Sequence, residues 1–399
     1  MSDLISVTTA DELIASFGDQ SPAISCPLGK AAGRILRENI YADRPLPPFD
    51  RVMMDGYAVR FDDVAPTTGK FLVCGQQMAG DRACGLPDKS GAAIEIMTGA
   101  SLPVGADAVI PYEDTEREGE IFTLTAKDDI ERGQYIHRQG TDFAAQSLLV
   151  SAGSPLGPVE LGVAASCGYA EVKVSARPRI AVVGTGDELV PITSTPLPHQ
   201  IRASNATTLE SALGLARFHV GEVDHWPDDE TVGKARLQDL LARSDVLVIA
   251  GAVSKGQRDW IPMALDDVAG CVFHGVRQRP GKPMGLWRTP DGKMIFALPG
   301  NPVSALVGLH RYILPYLRQR DGQAATAQSV AIAEDVSFAR PMTWFLPVTL
   351  RSDGSAEPRP VNNSGDYARL CGADGFIELP ENASRWTAGT RVTFYKWSV

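Results

Sequence analysis

The 399 residues contain no Cys-x-x-Cys pair, and none of the six cysteines (Cys26, Cys74, Cys84, Cys167, Cys271 and Cys371) has a histidine at zinc-finger spacing. That disfavours a structural zinc site and a disulfide framework, and a reduced, cytoplasmic compartment is expected. Long apolar runs are missing too: the longest, Val246 to Val253, has the length of a strand, far short of the roughly 18 residues of a membrane span. The start, Met1-Ser2-Asp3-Leu4, lacks a basic head before an apolar block, so no signal peptide is expected. Positive charge is also short, with a formal net charge of −10. No nucleic acid and no membrane surface is therefore expected as the main partner. An anionic ligand stays possible, because a local group of cations or a bound metal reverses the field within one cleft. There is no G-x-S-x-G elbow, and the six histidines sit in unrelated contexts, so Ser-His-Asp hydrolysis is poorly supported.

What the chain does contain is ordinary globular material with a changing texture. At about 100–200 residues per domain, its length predicts two to four domains. Thr9-Ala10-Asp11-Glu12 predicts a capping box opening a helix through Leu13, Ile14 and Phe17, ended by Gly18. Gly29 to Asn39 predicts a second short helix, stopped by Pro45-Leu46-Pro47-Pro48. From there to about residue 143 come short β-type runs, among them Tyr57 to Val59, Phe71 to Val73, Ala92 to Met97 and Ala108 to Ile110. That density predicts a small inserted β-rich domain. The texture changes at Arg177-Pro178. Ile180 to Val183 is continuously apolar, as a parallel strand covered on both faces must be. Three units of the same grammar follow: a helix capped by Ser204-Asn205, a strand at Val246 to Ile249, and a strand at Met294 to Leu298 leading into a helix through Leu317. The expected fold is α/β with a largely parallel sheet, followed by short β runs after Asp321-Gly322-Gln323 that predict a C-terminal β domain.

Open parallel sheets bind ligands beyond the carboxyl ends of their strands, and three such ends carry unusual loops. Gly184-Thr185-Gly186-Asp187-Glu188 offers two adjacent carboxylates; a solvated turn is the plain alternative, and a Mg²⁺ site shared with phosphate oxygens the functional one. Gly251 to Asp259 carries Ser254 and could cradle phosphate through backbone N–H groups, although it lacks the P-loop pattern and differs little from an ordinary turn. Pro299-Gly300-Asn301-Pro302-Val303-Ser304 is the most specific: two prolines stiffen it, Gly300 permits close approach, and Ser304 follows in the first helical turn. Just upstream, Arg279-Pro280-Gly281-Lys282-Pro283 holds two cations apart on a braced loop. Met54-Asp55-Gly56-Tyr57-Ala58 adds one carboxylate at a turn. Together these loops suggest metal-assisted chemistry on a small molecule bearing phosphate.

Read in order, the same segments resemble the molybdenum insertases, the MoeA family to which the gephyrin E domain belongs. The resemblance rests on Pro47-Pro48-Phe49-Asp50 with Met54 to Val59, on Met97 to Ala100 with Pro103 to Val109, and on Thr185 to Val190. Ser204-Asn205, Pro280 to Pro283, Leu298 to Ser304 and Ala373 to Phe376 extend it over nearly the whole chain. It implies an α/β molybdopterin-binding domain, adenylyltransferase-like, at 1–24 and 177–323. A connecting domain at 25–46 and 144–176, an inserted β-rich domain at 47–143 and a C-terminal β domain at 324–399 complete the implied layout. It also implies a homodimer with a shared cleft, and insertion of molybdate into adenylylated molybdopterin with release of AMP and a requirement for Mg²⁺. A separate molybdopterin adenylyltransferase becomes a candidate partner.

Position by position, the resemblance makes Asp55, Asp142, Glu188 and Asp259 the catalytic carboxylates, with Asp55, Glu188 and Asp259 toward the metal. Thr98, Asp187, Asp228, Ser254, Pro299, Asn301 and Pro302 join as substrate contacts, and Arg279, Lys282, Ser304, Arg340 and Ser364 face molybdate. The chain departs from the family at Arg51-Val52-Met53, where Asn-Ser-Ala is usual. It departs again at 250–257, where Ala250, Ala252 and Gln257 replace Ser, Gly and an acid. A non-catalytic pterin-binding or scaffold paralogue is the alternative these departures permit.

Overall fold

The apolar run at Ile180 forms a strand, Ile180–Thr185, and its burial explains its composition. Ile180 and Val182 pack into one cluster with the helix Ser204–Leu215, while Ala181 and Val183 pack into another with the helices Glu230–Arg243 and Ile261–Val268. Both faces are covered, so no position from Ile180 to Val183 is left for a polar residue. Each fully buried Val or Ile here contributes on the order of 1.5–3 kcal/mol. The computed structural model describes residues 4–125, 130–251, 253, 260–323, 328–361, 363 and 365–397.

The chain divides into two units, one of Met1–Ser25, Gly33–Ile35 and Lys173–Val399, the other of Cys26–Ala32 and Leu36–Val172. In the first, a six-stranded sheet runs Val220–Trp226, Ile180–Thr185, Val246–Ala250, Met294–Leu298, Gly285–Arg288, Gly270–His274. Its first four strands run parallel, Gly285–Arg288 runs against them, and Gly270–His274, antiparallel to Gly285–Arg288, returns to their direction, which makes the sheet largely parallel. The same unit holds a C-terminal sheet in the order Gln278–Arg279, Thr343–Leu350, Gly375–Leu379, Arg391–Lys396, Gln328–Ala331. Leu346, Val348, Ile377 and Leu379 fill one of its faces, and the alternate residues Phe345 and Phe376 join the α/β core on the other. The second unit carries a mixed six-stranded sheet, Ala108–Pro111, Gly56–Val59, Ala92–Ile96, Lys70–Gln77, Ile121–Leu124, Thr115–Glu118. Tyr57 and Val59 face one core and Ala58 the other, the period-two alternation of a strand buried on both sides.

Three local expectations are corrected. The first helix is Val7–Ala15 and its cap is Ser6, which accepts from the Thr9 N–H at 3.0 Å; Thr9 sits inside the helix. Residues 29–39 form no α-helix, because only a single turn, Leu28–Lys30, precedes Gly33, whose φ of +69° stops the helix there. Ser204 and Asn205 lie in the first turn of their helix, after the capping position Ala203. That frees the Asn205 side chain for another task.

Candidate functional site

Strand register brings four loops to one edge of the α/β sheet. Gly184 lies opposite Ala250, and Ala250 opposite Leu298, so the segments beginning at Thr185, Gly251 and Pro299 leave together. Gly285 of the antiparallel neighbour lies opposite Ala297, so the loop before it, with Lys282, arrives at this same edge. The helices that follow the 180–185 and 246–250 strands cover opposite faces. The edge is therefore a topological switch point, where open α/β sheets bind ligands.

The carboxylate turn is shaped by close backbone packing. Gly186 has φ +134°, and a side chain there would collide with the Glu188 carboxylate, which folds back over it. Glu188 is exposed at the edge, its carbonyl accepting from the Ile201 N–H at 2.8 Å. Asp187 and Asp228 hold each other's loops: the Asp228 N–H donates to Asp187 Oδ1 at 3.0 Å, and the Asp187 N–H to Asp228 Oδ2 at 3.5 Å. Each spends one oxygen on the backbone and keeps the other. Gly251, φ +124°, presses on Thr185, where a Cβ would strike the Thr185 hydroxyl. Among the described residues that hydroxyl is buried without a hydrogen-bond partner. Asn205 Nδ2 donates to the Gly300 carbonyl at 2.7 Å, while its Oδ1 is likewise buried and unpaired. Two orphaned polar atoms at one edge call for a polar ligand.

The basic side is braced by the C-terminal sheet. Gln278 and Arg279 pair in parallel with Thr343 and Trp344, and the Arg279 guanidinium lies 6.0 Å from the centre of the Phe338 ring. Lys282 and Arg340 are exposed. Arg340 stands in the segment that leads into the Thr343–Leu350 strand, so the strand pairing brings its stretch of chain near Arg279. Pro299 is buried, Asn301 precedes the helix Pro302–Gly308, and Ser304 is buried in its first turn. Ser254, Asp259 and Ser364 lie outside the described residues.

Asp55, Thr98 and Asp142 belong to the second unit, where Asp55 pairs with Thr98 and Asp142 with His137. Gly56 must be glycine because a Cβ would land on the Ile110 carbonyl, and that approach fixes the Asp55 turn. Asp55 Oδ1 accepts from the Thr98 hydroxyl at 2.7 Å and the Thr98 N–H at 2.6 Å. The hydroxyl first, then the N–H, hold its carboxyl below the usual carboxylate range. Asp142 Oδ1 lies 2.8 Å from His137 Nε2, and Arg51 Nη2 lies 3.3 Å from His137 Nδ1. A guanidinium can only donate, so Nδ1 accepts and Nε2–H donates to Asp142: the ring is the neutral tautomer, oriented from both sides. Arg51, one of the departures from the family pattern, thus acts on Asp142 through His137.

Sequence reasoning singled out neither His137 nor Thr185 as a site residue, and took Asn205 for a cap. Each owes its role to a partner distant in sequence, Gly300 lying 95 positions from Asn205. Among the described residues no three His, Cys, Asp or Glu side chains group as a metal cage. The donor set at the edge still fits Mg²⁺, which takes one or two carboxylates and completes its shell with water and substrate phosphate. Among the described residues no helix is long and apolar enough to cross a membrane.

Comparison with known proteins bears on the whole chain. Residues 5–168 match the family model described as the MoeA N-terminal region (domains I and II), 181–319 a probable molybdopterin binding domain, and 329–397 the MoeA C-terminal region (domain IV). A molybdopterin molybdenumtransferase of Synechocystis is 36% identical over 99% of this chain and 100% of its own length. One from Synechococcus elongatus is 32% identical over 98% of each. The crystal structure of a molybdopterin biosynthesis MoeA protein from Pyrococcus horikoshii superposes with a TM-score of 0.82 at 30% identity, covering 100% of both chains.

Proposed function

The chain belongs to the MoeA family of molybdopterin molybdenumtransferases, and from that premise we propose that it inserts molybdate into adenylylated molybdopterin and releases AMP. It is a transferase of molybdenum cofactor biosynthesis whose substrate is a molybdopterin. The observation that carries the finer reading is the sheet edge, where one register collects acidic loops on one side and a braced basic loop on the other. Such a pairing suits a substrate with a pyrophosphate at one end and an incoming oxyanion at the other.

Within this reading Glu188 and Asp187, with Asp259, would hold Mg²⁺ for the phosphate end of the substrate. Bound there, the ion would neutralise the phosphate charge and ease cleavage of the anhydride. Asp228 keeps Asp187 in place through its own N–H. Thr185 Oγ1 and Asn205 Oδ1 take the polar atoms of the substrate that would otherwise leave them unpaired. Lys282, Arg279 and Arg340, with the Ser304 and Ser364 hydroxyls, take molybdate, a dianion that needs fixed cations. Asp55, ionised at neutral pH and fixed by Thr98, and Asp142, oriented by His137, complete the acidic set. A homodimer with a shared cleft, and supply of the adenylylated substrate by a separate adenylyltransferase, belong to the same reading. Mixing Asp55→Asn and Glu188→Gln chains tests the sharing: restored turnover supports it, and none removes it.

The decisive assay supplies adenylylated molybdopterin, molybdate and Mg²⁺ and follows AMP. Molybdate-dependent release that Glu188→Gln reduces at least about 100-fold, the scale of losing one transition-state contact, is expected. Pterin binding without AMP release would instead identify a scaffold.

A further inference from the structure

A buried polar cluster on the helix after Pro302 leads to the basic loop. That helix runs Pro302–Gly308, widens into one π-helical turn at Leu309–Ile313, and resumes as Leu314–Asp321. Pro315 explains the widening, since it has no N–H to give the Arg311 carbonyl one turn back. Single π turns recur at functional positions, and this one presents Arg311 and Tyr312 in succession, both buried. Arg311 is clamped by Asp11 through two bonds of 2.6 Å and by Glu378 through one of 2.8 Å. The Tyr395 hydroxyl donates to the same Glu378 carboxylate at 3.0 Å, and the guanidinium lies 5.1 Å from the centre of the Tyr312 ring.

From Tyr312 the chain of contacts runs outward. Its hydroxyl donates to Gln278 Oε1, and Gln278 Nε2 donates to the Gly281 carbonyl at 3.2 Å. Tyr312 and Gln278 are each 1% exposed, so water cannot replace either bond. Gly281 has φ +92°, and a side chain on it would press on Gln278 Nε2 at 2.7 Å. Glycine turns freely about its own backbone, so the 281–282 peptide depends on what grips its carbonyl: the Met284 N–H donates to it at 3.0 Å from within the loop, and the Gln278 amide is the side-chain donor that ties the same oxygen to the core. Lys282 is the next residue. An apolar pair would fill the same space at less desolvation; an amide aimed at a loop carbonyl fixes an orientation instead.

We propose that Tyr312 and Gln278 are positioning residues that hold the Gly281–Lys282 peptide and thereby set where the Lys282 ammonium stands for the incoming oxyanion, with Arg311 fixing Tyr312. This rests on the reading of Lys282 as a molybdate contact. Loss of one buried hydrogen bond then weakens oxyanion binding without touching the pterin end.

The test uses the full chain and AMP release from adenylylated molybdopterin, titrating molybdate and the pterin separately. Tyr312→Phe and Gln278→Met are each expected to raise the KM for molybdate at least about tenfold, the scale of one hydrogen bond, with the KM for the pterin unchanged. A merely structural role lowers the active fraction, and so kcat, and moves neither KM. Gln278→Met removes the amide that faces Gly281 and adds no charge near Lys282, so it carries the test should Tyr312→Phe not fold. An unchanged molybdate KM in the folded variants overturns the proposal. Lys282→Met separates the two readings: if it raises the molybdate KM while the others do not, positioning fails alone. If Lys282→Met leaves that KM unmoved, the parent reading fails and takes the proposal with it. In the double variant Lys282→Met/Tyr312→Phe, no further rise over Lys282→Met is expected, and additive losses count against the relay.

Discussion

Replacing Arg311 with methionine keeps an unbranched apolar stem and removes the guanidinium with its charge, which sets an energetic test of the buried cluster. The guanidinium side chain is 9% exposed, and its partners differ: Glu378 is 18% exposed and Asp11 43%. Burial works against the charged form of Arg311, but the Asp11 and Glu378 carboxylates outweigh it and push its pKa upward. Without the cation, Asp11 can turn to water, whereas the largely buried Glu378 keeps, among the described residues, only the Tyr395 hydroxyl as a side-chain partner. Breaking a buried pair from one side costs about 3–5 kcal/mol, and the solvent available to Asp11 sets the expected loss near the lower figure. Glu378→Gln removes the stranded charge, so in Arg311→Met/Glu378→Gln part of the loss, on the order of 1–2 kcal/mol, should return. Amide hydrogen exchange of the 302–321 helix reads this directly, since those amides open only when the cluster does. A loss under about 1 kcal/mol for Arg311→Met, or strict additivity in the double variant, refutes the account.

Three further outcomes follow from single contacts. Burial, with the Arg318 guanidinium second, pushes the His310 imidazole down to about 4. An unfolded chain takes up that proton near pH 6.5, so this contribution is complete above about 6.5 and is lost progressively as pH falls toward 4. The full span is on the order of 3 kcal/mol, and His310→Gln should flatten that part of the stability curve measured by exchange from pH 4 to 7. Gly56→Ala places a methyl on the Ile110 carbonyl; overpacking of this kind costs about 1–3 kcal/mol, and reduced protection of the 56–59 and 108–111 amides is expected. Native protection there would disprove the close approach. Thr98→Val removes the hydroxyl and leaves the N–H, so the Asp55 titration followed by carboxyl ¹³C NMR should move up toward the ordinary carboxylate range. The acid limb of the rate profile should move with it, and an unmoved titration means that Thr98 does not set the charge.

The parts of the fold legible in the sequence are those encoded by short-range pattern. Val246 to Ile249 and Met294 to Leu298 read as doubly covered strands because every residue in them is apolar, and both are fully buried. The strand ends then located the acidic turn and the proline-braced turn. Residues 29–39 misled because Ala, Leu and Arg favour helix locally while Gly33 needs a left-handed backbone that no propensity sum reveals. Thr9 resembled a cap as well as Ser6 does; only the direction of the preceding chain decides between them. Contacts between remote segments were not legible at all. Arg311 and Asp11 are 300 positions apart, and neither residue's neighbourhood announces the other. His137 looked like one of six unrelated histidines until the pairing of Ile136–His137 with Arg51–Val52 set it beside both Arg51 and Asp142.

The pairing of Gln278 and Arg279 with Thr343 and Trp344 carries a consequence for the order in which this protein comes into being. A ribosome that has delivered residues through the Pro302 helix has supplied every strand of the parallel core and all its acidic turns. The strand that flanks Gln278, and Glu378, one of the two carboxylates that grip Arg311, emerge only afterwards. A polypeptide that stops before Thr343 has the acidic turns and Lys282 but lacks the strand that braces Gln278, so the basic loop is expected to be the less ordered side of its sheet edge.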